Sequence, residues 1–428
     1  MRGNCIILHT KTSKPTVLQV YRLYMRVNMG NNDLRLYFID AIRAWAILMM
    51  LQGHFVDGLL DNAFRDNSST TYTVWKYFRG VTAPVFFTVS GFIFTYLLIK
   101  GDKIGFNNPR VKKGIKRGVQ LLAIGYLLRL NFFGLLKGQI YGSFYLVDVL
   151  HCIGLSILGI VGIYLLTISR NKYLFPGALL AITIVLFVLE PNYKQYSHHY
   201  LPEMMANYLT RANGSVFTIM PWFGYATIGA FMSVLFNGFK NFKYLYPVAI
   251  TGFTVVGIGL LFFSSSFFLA LYNWSGILLF SKIYFNNYLF IRLGDVFLVF
   301  AVFMLFRKFI GNNKTVLRIG QSTLSVYVIH YIILYGSFTG IGLYYFLNHS
   351  LSPTLVIPGA LVFMLATTVL ALQYERNKAY LKLQMSSTVK MVQLKGESWL
   401  NEEGLPLLKA FVLKIKLILI RLFRIVKN

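Results

Sequence analysis

The stretch FIDAIRAWAILMMLQGHFVDG, residues 38–58, is apolar enough to sit in lipid and yet carries four ionisable groups, Asp40, Arg43, His54 and Asp57. Its length suits a bilayer crossing, which takes about 20 helical residues for a hydrocarbon core of about 30 Å. An ionisable group at the centre of such a helix costs about 3 kcal/mol unless it is paired or faces a wet interior. The segment therefore reads as a membrane helix whose polar residues turn toward other helices, and the rest of the chain has to supply them.

It does. Hydrophobic runs place spans at 36–60, 81–99, 115–136, 145–168, 173–189, 216–236, 247–270, 290–306, 316–346 and 355–375. Hydrophobic residues make up 56% of the chain, charged residues only 13%, and the mean hydropathy is +0.59. The expected fold class is all-α, a polytopic integral membrane protein of about ten transmembrane helices, with no room for a separate soluble domain.

A net charge of +28 would point to nucleic acid in a soluble protein, so the placement of the 42 Lys and Arg decides its meaning. With the N-terminus in the cytoplasm, the inner loops and the span starts that follow them hold 15, the outer connections seven, and the two ends, 1–35 and 376–428, six and eleven. The positive-inside rule thus sets both termini in the cytoplasm and removes the need for a nucleic-acid partner. Three regions follow: an N-terminal cytoplasmic tail at 1–34, in which Met29 is a possible alternative start, a membrane domain at 35–375, and a basic cytoplasmic tail at 376–428. Near 409–427 basic and aliphatic residues alternate so that the charges gather on one face, as in a helix lying on an anionic leaflet. The expected location is a multi-pass integral membrane protein, in the cytoplasmic membrane if the host is bacterial. No cleaved signal is evident. The two cysteines, Cys5 and Cys152, fall in different environments and suggest no disulfide. Metal-ligand spacings, phosphate loops and nucleophile elbows are absent from the sequence, so no metal is expected.

The intramembrane polar residues are the functional candidates. Arg43 and His54 stand eleven residues apart, so they share a helix face and lie about 16 Å apart along the axis. In YLVDVLHCIG, residues 145–154, Asp148 and His151 lie one turn apart, an arrangement in which a carboxylate can orient an imidazole for general-base work or simply join helices. Arg129 lies in the third span, and Arg292 with Asp295 in the eighth reads as an ion pair. His330, in the polar stretch STLSVYVIH at 322–330, either lines the interior or bonds a neighbouring helix.

The arginine and histidine separated by ten residues in the first span, followed by FFTVSGF at 86–92, resemble the membrane acyltransferase family 3. PWFGYATIGAF from Pro221, VDVLHCIGLSI from Val147 and STLSVYVIH look more like its heparan-α-glucosaminide N-acetyltransferase branch. The resemblance covers roughly residues 35–375 and departs in having Ala44 where a glycine usually follows the arginine. It implies an enzyme that moves an acetyl or longer acyl group from acyl-CoA to a sugar hydroxyl or amine of a glycan or glycolipid across the membrane. His54 would be catalytic, with Asp57, or Asp148 beside His151, orienting an imidazole. Arg43 would bind the donor, whose phosphates would meet the basic stretch containing Lys112, Lys113, Lys116 and Arg117. Arg129, Tyr145 and His330 would face the acceptor, Arg129 or Tyr145 stabilising the oxyanion. An acetyl-imidazole is the competing route for the transfer. A transporter or flippase-like carrier of a glycan or lipid intermediate would use the same charges, but would be expected to show internal repeats, and none is visible.

Overall fold

The computed structural model describes residues 36–399, apart from 102, 169, 170, 172, 195, 213 and 312, together with 402, 405, 406, 413 and 414. The N-terminal tail and most of the amphipathic segment at 409–427 lie outside the described residues. Among the described residues there is no β-sheet, only the isolated bridges Leu60 to Leu351 and Asn131 to Phe338.

The chain runs up and down through α1 (Tyr37–Leu59), α2 (Thr70–Ile99), α3 (Pro109–Arg129), α4 (Val149–Thr167), α5 (Leu174–Val188) and α6 (Ile219–Gly238). It continues through α7 (Leu245–Ile258), which passes by a π-helical turn into α8 (Ser264–Ser275), then α9 (Tyr288–Leu305), α10 (Lys314–Gln321), α11 (Thr323–Tyr335) and α12 (Pro353–Trp399). Every expected span overlaps a helix. By length and composition six helices can cross a bilayer, or seven if α10 and α11 form one crossing, so the protein is polytopic. Of the remaining three, α5 has only 15 residues, while α1 and α3 carry polar groups that lower their hydropathy.

Several boundaries differ from the sequence reading, among them the start of the second span, where α2 already begins at Thr70. The span expected at 316–346 is broken: α10 and α11 meet at a 69° bend, and α11 stops at Tyr335. The stop is set by Gly336 at φ +68, where a Cβ would lie 2.3 Å from the Ile341 carbonyl carbon, so only glycine fits. The third span ends at Arg129, with residues 132–136 forming a separate short helix, because Leu130 turns to an extended backbone. Finally, α12 continues through residue 375 without a break as far as Trp399.

In lipid, apolar contact gives little net driving force between helices, and close packing has to supply it. One such contact is α2 on α6. A Cβ at Gly91 would stand 1.9 Å from the Ala226 carbonyl oxygen, and one at Gly229 would stand 1.9 Å from that of Thr88, so the two backbones touch where side chains would otherwise part them. The other anchor is aromatic. Phe38 of α1 meets Phe92, Phe236, Tyr246 and Phe300 with ring centres 5.9 to 6.5 Å apart, tying α2, α6, α7 and α9 around one end of α1. With Phe38 and Arg43 at that end and His54 at the other, α1 threads the bundle as its central rod.

Candidate active site

α11 lies along α1 and touches it through two polar contacts. At the first residue of α11, Thr323 Oγ1 accepts a hydrogen bond from Arg43 Nη2 at 2.9 Å. Two turns later His330 Nε2 lies 3.2 Å from His54 Nδ1, the rings tilted by 50° with centres 5.2 Å apart. Seven residues of helix return a side chain to nearly the same face, which is why Thr323 and His330 both meet α1. The bend before α11 aims that face. Arg43 also sits 3.8 Å from Asp40, one turn back on α1.

His330 is fully buried and packs edge-on against the rings of Tyr327 and Tyr331, at 4.8 and 6.0 Å. His54 is only partly buried and lines an open pocket together with Arg79, Thr82, Phe86, Trp222 and Tyr288. Its Nδ1 being engaged, the other ring nitrogen is the one available to the cavity. Arg79 comes from the first part of α2, its stem packed over Gly53 and its guanidinium paired with the Asp57 carboxylate. Asp57 also lies 3.9 Å from Arg65, whose guanidinium donates to the Leu60 carbonyl. The group against His54 is thus His330, while Asp57 holds two arginines.

The second histidine cluster has a different form. Asp148 caps α4, its carboxylate accepting from the backbone N–H of His151 while its own N–H donates to His151 Nδ1 at 3.1 Å. This reciprocal arrangement satisfies two donors that the start of a helix leaves unpaired. The same carboxylate receives Arg129 Nε at 2.8 Å, and Arg129 Nη1 reaches the Ser143 carbonyl. The carboxylate and imidazole expected to work as a pair are joined through backbone, and Arg129 is committed to Asp148. Tyr145 lies on the connection before α4, where its carbonyl accepts from Asn207, and it does not line the His54 cavity. Arg292 and Asp295 form the expected ion pair within α9 at 2.9 Å, with Tyr77 donating to the same aspartate.

At the Arg43 end, Lys112, Lys113 and Lys116 are exposed on α3 and Arg117 is partly buried. Arg117 and Lys113, with Arg110, line an open pocket against Phe94 and Leu98 of α2. Sequence reading missed Arg79, Thr323, Trp222 and Tyr288. Arg79 had a signal, an arginine and glycine opening an apolar run, but it counted only as a charge of an outer connection.

No curated protein matches the chain. The family model for the catalytic domain of heparan-alpha-glucosaminide N-acetyltransferase matches residues 35–263, from α1 to the π-helical turn after α7. That stretch contains Arg43, His54, Asp57, Arg79, Asp148 and His151, whereas Thr323 and His330 lie beyond it. Since the match spans more than half of the chain, this polytopic helical protein belongs to the heparan-alpha-glucosaminide N-acetyltransferase catalytic family, a family of acetyltransferases.

Proposed function

We propose that the protein moves an acetyl group from acetyl-CoA, bound from the cytoplasm at the Arg43 end, to a hydroxyl or amine of a sugar presented at the His54 end on the opposite side of the membrane. The observation that carries this reading is the partly exposed imidazole of His54 on the wall of an open pocket, with its Nδ1 engaged by His330. In the tautomer in which His54 Nδ1 donates to His330, His54 Nε2 keeps the lone pair that a general base needs.

The remaining residues fit the same direction of travel. The excess of Lys and Arg in the loops at the Arg43 end favours a cytoplasmic side there. Arg110, Lys113 and Arg117 offer charge and fixed donors to the donor's phosphates. Arg43 stands deeper, about 16 Å from His54 along α1, roughly the reach of an extended pantetheine arm. His54 Nε2 takes the proton of the acceptor O–H or N–H, and the freed oxygen or nitrogen attacks the thioester carbonyl. As the new C–O or C–N bond forms, the C–S bond breaks, and the thiolate of coenzyme A leaves and recovers the proton from His54. Arg79, whose side chain lines the cavity, supplies positive charge near the oxyanion that forms in between. On this reading Asp148, His151 and Arg129 hold the start of α4 in place.

Purified protein incubated with radiolabelled acetyl-CoA and a panel of neutral and amino sugars tests the proposal. Label recovered in a saccharide supports it, and label that stays on coenzyme A with every acceptor overturns it.

A further inference from the structure

At the His54 end of the bundle, the connection from α11 to α12 lies against the connection from α1 to α2. Leu351 N–H donates to the Leu59 carbonyl, Asp61 N–H to the Leu351 carbonyl and His349 N–H to the Gly58 carbonyl, at 2.9 to 3.2 Å. His349 takes φ +48 there, a left-handed conformation that costs energy in any residue but glycine and persists only where its surroundings hold it. Its imidazole supplies one such hold.

His349 Nδ1 lies 2.7 Å from Arg65 Nη2. A guanidinium cannot accept a hydrogen bond, so Nδ1 carries the lone pair and the ring is neutral in this arrangement. The same Nδ1 lies 3.3 Å from the Leu60 carbonyl oxygen, a partner that only a protonated Nδ1 can use. Arg65 also donates to the carbonyls of Leu60 and Asp57, and these acceptors together keep its guanidinium 3.9 Å from the Asp57 carboxylate. That carboxylate is paired with Arg79 at 2.5 Å instead, and Arg79 lines the pocket of His54. The other groups near His349 are Tyr344, with its ring 6.2 Å away, and Asp61, whose carboxylate is turned to the Ala63 N–H.

His349, Arg65, Asp57 and Arg79 thus form a chain of contacts that starts at a partly exposed imidazole and ends on the pocket wall. Imidazole is the side chain that changes charge between about pH 5 and 8. We propose that His349 is a positioning residue for acetyl transfer: its neutral ring holds Arg65 back from Asp57, so that Asp57 fixes Arg79 in the pocket, and its protonation reverses this. The protonated ring donates to the Leu60 carbonyl and repels Arg65, which moves onto the Asp57 carboxylate and draws it from Arg79. Acid at the His54 end therefore slows transfer through His349, separately from the protonation of His54 itself. This rests on the acetyl-transfer reading above and adds to it a residue outside the family match and a dependence on pH at one end of the bundle.

Two variants that keep the backbone test the proposal. His349→Gly adopts the left-handed conformation without strain and removes the ring, whereas His349→Asn tolerates that conformation and keeps an acceptor for Arg65 that does not titrate. Transfer from radiolabelled acetyl-CoA to the best acceptor sugar is measured with purified full chain from about pH 5 to 8, and melting temperatures in detergent confirm that both variants fold. Near pH 8, His349→Gly loses about tenfold in kcat with little change in acceptor KM, the scale of loss when a partner that orients a working group is removed, and His349→Asn recovers most of it. On the acid side, log kcat/KM of the wild type falls with one protonation more than that of His349→Asn, a limiting slope of about two against about one. Acid limbs of equal slope and midpoint in the wild type and His349→Asn, or an Asn variant as impaired as the Gly variant near pH 8, overturn the role of His349 while leaving acetyl transfer intact. A wild type that acetylates no saccharide overturns both.

Discussion

His54 Nδ1 lies 3.2 Å from His330 Nε2, across 276 residues of sequence and between two helices that nothing else polar joins at that level among the described residues. A histidine pair of this kind fixes the ring orientation and the tautomer of the exposed member through the buried one. His330 is thus a positioning residue. His330→Ala should lower kcat about 10- to 100-fold, by analogy with the loss of partners that orient metal-bound histidines, with little change in KM for the donor. His330→Gln, which keeps a hydrogen-bonding group on the side chain, should recover part of the loss. Steady-state kinetics of the two variants check this, and equal losses in both would reduce His330 to a packing residue.

Arg43 is held at 2.9 Å by Thr323 and at 3.8 Å by Asp40, and so is fixed for a ligand that approaches from its own end of the bundle. Arg43→Ala should raise KM for acetyl-CoA about tenfold or more, since charge-assisted contacts contribute about 1.5 to 3 kcal/mol, and should leave KM for the acceptor unchanged. Thr323→Val removes only the support and should have a smaller effect in the same direction. Donor titrations at saturating acceptor separate the two.

Asp148 joins the start of α4 to Arg129 with side-chain exposures of 10% and 13%. Removing one partner of so buried a pair leaves the other charge unmatched, at a cost of about 3 to 5 kcal/mol. Asp148→Ala should therefore lower thermal stability in detergent and the yield of folded protein. The activity per folded molecule should stay within severalfold of wild type. A folded, stable Asp148→Ala protein without activity would return the residue to the reaction.

The α2 to α6 contact has no space for even a methyl group, because the Cβ of an alanine at Gly91 or Gly229 would stand 1.9 Å from a carbonyl oxygen. Gly229→Ala should destabilise the protein by about 1 to 3 kcal/mol or more as the helices part, read as a lower melting temperature in detergent. Gly162→Ala, on α4 with open space around its Cβ position, is the matched control.

The helical, membrane-spanning character was readable because apolar length and the bias of Lys and Arg act locally along the chain. The sequence also marked the shared face of Arg43 and His54, since helical periodicity alone determines it. What periodicity cannot show is which distant helix meets that face. His330 was noticed as polar and its partner was not, because the pairing depends on a 69° bend between α10 and α11 in a stretch that reads as one continuous apolar run. Asp148 and His151 show the opposite case. Three-residue spacing is shared by acid–base pairs and by helix caps, and only the backbone geometry at Asp148, extended at ψ 175, distinguishes them. Arg79 was hidden because a charge near the end of a span counts equally as loop or as cavity wall until the helix before Gly80 is seen to begin at Thr70.

The role of His54 as the base for transfer is measured most directly by the acetylation rate of purified wild-type and His54→Ala protein under saturating radiolabelled acetyl-CoA and acceptor. General-base catalysis contributes about 10²- to 10⁴-fold, so the variant should fold, insert and bind donor as wild type does while losing at least about 10²-fold in kcat. A His54→Ala protein that transfers acetyl groups at a rate close to wild type would contradict it.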